Sequence, residues 1–105
     1  MKKSNLFQDI PESLPQEILE TLLQRDGLRL ERIVSDGHAT AEGEWYDQEW
    51  DEWVILLSGS ATLLFENGES RQLIPGDYLL IPAHCRHRVE ATDQQEKSVW
   101  LALHL

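Results

Sequence analysis

The chain changes its pattern of hydrophobic and polar positions near residue 28. Beyond that point, short apolar-rich runs are separated by turn residues such as Ser58-Gly59-Ser60 and Pro75-Gly76-Asp77. This pattern predicts strands at 28–34, 52–57, 61–65, 71–74, 78–81, 85–91 and 98–105, with a weaker candidate at 39–46. Asn67-Gly68 predicts a hairpin with a tight type I′ turn. Many short strands at this spacing indicate an all-β fold, an antiparallel sandwich or barrel.

The first 27 residues follow a different period and are interpreted as an N-terminal extension, with the β-domain spanning 28–105. Ser13 and Gln16 fit a capping box, and Pro15 suits a first helical turn. Apolar residues then recur at helical spacing, namely Leu14, Ile18, Leu19, Leu22 and Leu23. Since Gly27 fits a C-cap, the pattern predicts a short amphipathic helix at about 14–25.

The charge balance limits the partners that we expect for this protein. Lys and Arg number 9 and Asp and Glu number 19 among 105 residues, which gives a formal charge of −10. This excess argues against nucleic acid and against an anionic membrane surface, because both bind clustered cations. No apolar run approaches the length of a membrane span or a signal-peptide core. The single Cys85 cannot form an internal disulfide, so we expect a cytoplasmic location.

The segment from Trp45 to Trp53 carries the first candidate chemistry. If a strand runs through it, side-chain alternation puts one set of residues on a single face: Tyr46, Gln48, Trp50, Glu52, Val54 and Leu56. Because this set ends in Val and Leu, we expect it to face the interior, with Tyr46 and Trp50 lining a pocket. Glu52 would then be buried, which requires an ion pair, a hydrogen bond or a metal. The alternative is a solvated acidic loop that becomes a strand only at Trp53.

The second candidate segment is the histidine-containing stretch 82–89. His87 and Val89 are two residues apart, so strand alternation puts them on the same face and we expect His87 to point inward. His84 lies in the preceding turn. One His and one Glu from separate strands can meet inside a small barrel and bind a divalent metal such as Zn, Fe, Mn or Ni. A hydrogen-bonded His is the alternative. His104 shares the parity of its apolar neighbours and is a further pocket candidate, with a satisfied core His as the other reading.

These segments resemble the two motifs of the cupin superfamily. The run Gly76-Asp-Tyr-Leu-Leu-Ile-Pro82-Ala-His-Cys-Arg-His87 is similar to the second motif, in which a Gly-Asp turn and a strand lead to a Pro and then a metal-binding His. Glu52-Trp-Val-Ile-Leu-Leu-Ser-Gly59 is similar to the end of the first motif. The resemblance covers about residues 28–105 and points to small bacterial single-domain cupins. It implies a jelly-roll β-barrel of two packed antiparallel sheets, commonly a homodimer, with a small-molecule ligand.

The departures from the family pattern decide which site residues carry over. Where the first motif has two His ligands before its Glu, this chain has Tyr46 and Gln48. Only Glu52 and His87 match the usual metal ligands. Gln48 can donate a carbonyl oxygen, and His84 can add an imidazole if its turn bends inward. The resemblance therefore implies a metal set of Glu52, His87, Gln48 and His84.

Two functions follow, and the sequence leaves both open. In the first, a divalent metal held in the barrel keeps one position open for a small-molecule substrate and assists its reaction. In the second, the barrel is a metal-free, non-catalytic module that binds a small, mostly apolar ligand. A third interpretation gives the protein a structural role through a dimer surface that includes Trp45 and Trp53. The sequence names neither a substrate nor a reaction.

Overall fold

A computed structural model describes residues 1–105 as eight β-strands without a helix. In chain order the strands are β1 (Ile18–Arg25), β2 (Leu28–Ser35), β3 (Glu52–Ser58), β4 (Ala61–Phe65), β5 (Ser70–Leu73), β6 (Tyr78–Ile81), β7 (His87–Thr92) and β8 (Ser98–His104). They form a five-stranded sheet in the order β1-β2-β8-β3-β6 and a three-stranded sheet in the order β5-β4-β7. Every strand pair is antiparallel, so the all-β antiparallel fold predicted from the sequence is confirmed. A membrane-crossing helix of sufficient length and apolar character is not found in the chain.

The two sheets pack around one main apolar core. Both sheets contribute to its buried members, which are Val54, Leu56, Ala61, Leu63, Leu73, Ile81, Trp100 and Ala102. Leu56 and Ala102 are completely buried at 0 % exposure. Removing such side chains from water contributes roughly 25 cal/mol per Å² of apolar surface, so this cluster is the main force that holds the sheets together.

The register of the three central strands sets the character of the inner face of the larger sheet. Residues directly opposite one another in an antiparallel pair project from the same face. Arg29, His104 and Glu52 form one such row across β2, β8 and β3. Deeper rows are apolar, as in the pairing of Trp100 with Leu56. The register therefore gathers charged and polar side chains at one end of an otherwise apolar interior.

The predicted helix at 14–25 is wrong, because residues 18–25 form strand β1. Arg25 pairs with Leu28 across the turn, and Gly27 adopts a φ of 73°, so the glycine closes a hairpin rather than a helix. Pairing with β2 satisfies the backbone groups that a helix would have bonded internally. The apolar residues whose spacing suggested a buried helical face are exposed: Leu19 (61 %), Leu22 (42 %) and Leu23 (40 %).

The segment before β1 packs on the outer face of the larger sheet. A small buried cluster joins the segment to that face: Leu14, Val34 and Val99. The guanidinium of Arg32 is 4 % exposed and donates to the backbone oxygens of Leu6 (3.1 Å) and Gln8 (2.6 Å). Its Nε lies 3.1 Å from the Glu20 carboxylate. Arg32 therefore anchors the N-terminal residues; the division of the chain into 1–27 and 28–105 stays a prediction.

Two of the turns differ from what the sequence predicts. The hairpin between β4 and β5 is present, but only Gly68 has a positive φ (93°), so the turn is not the predicted type I′ turn. The weaker strand candidate at 39–46 is reduced to a single bridge between Tyr46 and His87. A continuous strand from Tyr46 into β3 is absent, because residues 47–51 form bends and irregular chain.

Candidate active site

A cavity of about 230 Å³ lies between the two sheets at the polar end of the inner face. Its wall combines apolar side chains with carboxylates, imidazoles and one guanidinium. The lining residues are Glu17, Leu19, Arg29, Glu31, Ile33, Tyr46, Gln48, Glu52, Val54, Leu63, Ile81, His87, Val89, Trp100 and His104. A concave, largely apolar site with a few convergent polar groups is typical of small-molecule binding.

Glu52 and His87 meet in this cavity from opposite sheets. Glu52 begins β3 in the larger sheet and His87 begins β7 in the smaller one, and the side-chain atoms Oε1 and Nε2 lie 3.5 Å apart. Glu52 is 8 % exposed and His87 is 5 % exposed. His87 Nδ1 lies 2.8 Å from the backbone oxygen of Cys85 and must donate to it, because a carbonyl oxygen only accepts. Nε2 is therefore the nitrogen that His87 presents to the carboxylate and the cavity.

The surroundings of His87 favour its charged form. Burial by itself lowers the pKa of the imidazole, since the protein interior penalises charge. The hydrogen bonds to the Glu52 carboxylate and the Cys85 carbonyl, together with the negative charge of Glu52, outweigh burial and raise the pKa above the ordinary value of 6.5. The Glu52–His87 contact therefore favours protonation of the imidazole.

Tyr46 covers His87 at the cavity wall. The two rings stack with centroids 5.6 Å apart, and the backbone bridge between these residues holds them in place. Burial raises the pKa of the Tyr46 phenol above 10.0, and the negative charges of Glu17, Glu52, Glu44 and Glu31 raise it further. Tyr46 therefore stays a neutral phenol that can donate a hydrogen bond into the cavity.

A second carboxylate–imidazole pair lies on the larger sheet. His104 Nε2 is 3.0 Å from Glu31 Oε1, and the indole Nε1 of Trp50 donates to His104 Nδ1 over 2.7 Å. Because Nδ1 accepts from Trp50, the ring proton lies on Nε2 and is donated to Glu31. Arg29 lies over the Trp50 ring at 5.3 Å and 3.8 Å from the Glu31 carboxylate. Both nitrogens of His104 are thus committed to protein partners.

The structure brings together only part of the residue set that the sequence suggested. Tyr46, Gln48, Glu52, His87 and His104 all line the cavity. Trp50 does not line it and acts through its hydrogen bond to His104.

His84 lies outside the cavity, although the resemblance included it in a metal set. Its side chain is 66 % exposed, and its Nδ1 lies 2.9 Å from Asp47. A positive φ of 61° turns the chain at His84 so that the ring faces the acidic loop before β3.

Three charged residues that line the cavity were not predicted from the sequence: Glu17, Arg29 and Glu31. On β2 the more apolar parity, which includes Leu28, Leu30 and Val34, suggests the interior face. The structure instead turns the parity of Arg29 and Glu31 into the cavity, because the N-terminal segment covers part of the outer face. The register that puts Arg29 opposite His104 explains this direction, and it depends on the pairing of β2 with β8, which no local sequence pattern specifies.

The structure places three members of the implied metal set, Glu52, His87 and Gln48, at the cavity wall, and the fourth, His84, outside it. Two bonds of about 2.1 Å at a near-tetrahedral ion separate their donor atoms by about 3.4 Å, so the Glu52–His87 spacing of 3.5 Å fits one shared ion. No group of three or more His, Cys, Asp or Glu side chains is arranged to hold a metal, however. The neutral Tyr46 phenol is a poor ligand, and His84 is directed elsewhere.

Comparison with known proteins identifies the family. A family model described as the cupin domain (Cupin_2) matches residues 33–104. The structure of a Ralstonia eutropha JMP134 protein, named as a putative mannose-6-phosphate isomerase, is similar to this chain with a TM-score of 0.95 and 51 % sequence identity. The alignment covers 99 % of this chain and 97 % of that one. No curated protein matches the sequence at a significant level.

More distant structures share the fold alone. A cupin superfamily protein from Desulfitobacterium hafniense DCB-2 has a TM-score of 0.75 and 23 % identity over 91 % of this chain and 83 % of that one. An RmlC-like cupin from Desulfovibrio desulfuricans has a TM-score of 0.75 and 14 % identity over 99 % and 96 %. Since the family model covers more than half of the chain and the Ralstonia eutropha protein is 51 % identical over nearly its whole length, this chain belongs to the cupin domain family.

Proposed function

We propose that this cupin binds a small, largely apolar molecule in its cavity and that Glu52 and His87 contact the molecule directly, without a metal between them. The observation that carries the proposal is the buried Glu52–His87 pair at the wall of a cavity of about 230 Å³. Such a cavity holds roughly the volume that eight water molecules occupy in the liquid, at about 30 Å³ each. A compact organic molecule of similar size fits this space.

The pair supplies both a donor and an acceptor to a ligand. With Nδ1 bonded to the Cys85 carbonyl, His87 offers Nε2 as a donor when charged and as an acceptor when neutral. Glu52 offers carboxylate oxygens beside it. A carboxylate and an imidazole at this spacing can also move a proton to or from a bound molecule, which would make the site a general acid–base centre.

A metal-assisted reaction on a small molecule is the second candidate function. The 3.5 Å spacing of Glu52 Oε1 and His87 Nε2 favours it, and the bond from Nδ1 to a carbonyl is a common way to orient a metal-binding His. Zn, Fe, Mn and Ni all suit such donors. The incomplete donor set places this candidate second.

A sugar phosphate, the type of substrate named for the Ralstonia eutropha protein, is a poor match to this cavity. Arg29 is the one guanidinium at the wall, and it already lies 3.8 Å from Glu31. A phosphate group is usually bound by several cationic or backbone N–H donors. We therefore do not extend the isomerase assignment to this chain.

Binding of benzyl alcohol to metal-free protein, followed by backbone-amide NMR, tests the proposed function. We expect shifts at residues of the cavity wall such as Val54, His87 and Trp100. Val89→Phe fills the cavity and should abolish these shifts, whereas Ala91→Phe alters an exposed position of the same strand and should retain them. Metal analysis of protein purified without chelator accompanies the titration. Stoichiometric metal that is lost in both Glu52→Gln and His87→Gln would favour the metal-assisted candidate.

A further inference from the structure

We propose that the natural ligand of this cavity carries a protonated amine and that Glu52 binds it. This inference rests on the proposed small-molecule function and adds the chemical class of the ligand. The cation would lie at the polar end of the cavity, with the rest of the molecule against the apolar wall.

The charges at the cavity wall are unbalanced. Carboxylates reach it from three places: Glu17 just before β1, Glu31 on β2 and Glu52 on β3. One guanidinium, Arg29, lies at the same wall, 3.8 Å from Glu31 and over the Trp50 ring. Glu52 has the His87 imidazole beside it, 3.5 Å away, and no cationic side chain pairs with Glu17. Three carboxylates therefore face one guanidinium and one imidazole, which leaves an excess of negative charge at the wall. A low-dielectric cavity strengthens the attraction of such a site for a cation.

Glu52 has unused hydrogen-bonding capacity in the cavity. It is 8 % exposed, and its one polar contact is the 3.5 Å approach of His87 Nε2 to Oε1. That separation exceeds the 2.7–3.2 Å typical of a strong N–H···O hydrogen bond, and Oε2 has no partner. A further donor would stabilise a carboxylate that is largely removed from water. An ammonium group brings three N–H donors together with the compensating charge.

Glu17 and Glu31 differ from Glu52 in being anchored. Ser35 donates to Glu17 Oε2 over 2.7 Å, and His104 donates to Glu31 Oε1 over 3.0 Å. These bonds fix the two carboxylates at the wall, where they contribute negative potential. The raised pKa of the Tyr46 phenol reports the same potential, since Glu17, Glu52 and Glu31 all contribute to it after burial.

The remaining wall suits an alkyl or aryl group attached to the amine. Apolar and aromatic side chains surround the polar end, including Ile33, Val54, Leu63, Ile81, Val89 and Trp100. Tyr46 adds a π face at the same wall, and an ammonium near an aromatic face gains further attraction. Carboxylate or phosphate ligands would instead be repelled by the three wall carboxylates. A metal ion, the other cation to consider, lacks a third strong ligand here.

Three probes of similar size and different charge test the inference: benzylamine, benzyl alcohol and benzoate. Each is titrated into protein treated with a chelator and followed by backbone-amide NMR. We expect benzylamine to bind about tenfold or more tightly than benzyl alcohol, and benzoate to cause no shifts. Glu52→Gln should remove this preference, so that benzylamine and benzyl alcohol bind with equal affinity. Glu12→Gln, an exposed position before β1, is the matched control and should leave the preference unchanged.

The outcomes separate this inference from the proposed function. Equal binding of benzylamine and benzyl alcohol would overturn the amine assignment and leave the small-molecule function standing. Failure of all three probes to bind would overturn both. A preference that survives in Glu52→Gln would also contradict the inference, as would stoichiometric Zn²⁺ binding that depends on Glu52. If Glu52→Gln does not fold, Glu17→Gln is the second variant and should reduce the preference in the same direction.

Discussion

Glu52 and His104 are direct register partners on β3 and β8, yet each binds a different group. Glu52 faces His87 from the opposite sheet, whereas His104 bonds Glu31 on the neighbouring strand β2. Two carboxylate–imidazole pairs therefore share one cavity. They differ in chemistry, because His104 uses both ring nitrogens on protein partners and His87 directs Nε2 to the cavity wall.

The first prediction concerns the pH dependence of the Glu52–His87 pair. Because the pKa of His87 is raised in the folded protein, the pair contributes its full stabilisation below pH 6.5, the ordinary His value, and loses it as pH rises through the raised pKa. NMR titration of the His87 imidazole should give a pKa above 6.5 in the native protein. In Glu52→Gln the pKa of His87 should fall, because burial still lowers it and the Glu52 carboxylate no longer raises it. An unchanged titration in this variant would contradict the pairing; Glu12→Gln is the control.

The second prediction is that Trp50 fixes the tautomer of His104. Nitrogen-detected NMR of the imidazole should show the proton on Nε2, as the donation from Trp50 to Nδ1 requires. Trp50→Phe removes the donor and should cost about 1 kcal/mol of stability. The same variant should populate a mixture of tautomers. Trp45→Phe alters an indole that contacts Arg86 and Arg88 instead, and it should leave the His104 signals unchanged.

The third prediction separates backbone strain from steric overlap at two glycines. Gly59 and Gly43 have similar positive φ values of 79° and 81°. A Cβ at Gly59 would lie 2.7 Å from the Cα of Ser98, whereas nothing lies within 4 Å at Gly43. We expect Gly43→Ala to cost about 1–2 kcal/mol from φ alone and Gly59→Ala clearly more. Chemical denaturation measures both, and equal losses would show that the Ser98 contact is unimportant.

The fourth prediction concerns the homodimer that the family resemblance implies. The outer face of β3 and β6 exposes Tyr78 (66 %) and Leu80 (54 %) beside the half-buried Trp53. A group of exposed apolar neighbours is typical of a contact between two protein chains. In sedimentation experiments the native protein should be a dimer and Leu80→Lys a monomer. Leu22→Lys on β1 is the control; a monomeric native protein would contradict the prediction.

Local patterns in the sequence predicted most of the fold because strand alternation and turn residues act over a few positions. The strands from Leu28 onward were found at nearly their observed bounds. Strand β1 was missed because its conformation is decided by pairing with β2, and the spacing of Leu19, Leu22 and Leu23 does not reflect burial. Helical periodicity indicates a helix only when the repeated residues share a buried face.

The candidate site was predictable only where parity and burial agree. Glu52 and His87 begin strands in which the alternate positions that follow, such as Val54 and Val89, are apolar, so the direction of both side chains could be inferred. His84 could not be placed in this way, since its direction depends on a positive φ and on Asp47, which is distant in sequence. Arg29 and Glu31 contradict the simple expectation that the more apolar parity of a strand faces inward.

The anchoring of the N-terminal segment by Arg32 links the two sides of the larger sheet. Glu17, the last residue of that segment, and Leu19 on β1 form part of the cavity wall. Removing the first dozen residues, or fusing a bulky tag to them, would therefore alter the shape of the cavity and also expose the outer face of the larger sheet. Recombinant versions of this protein should keep that leading stretch intact if their binding behaviour is to represent the natural chain.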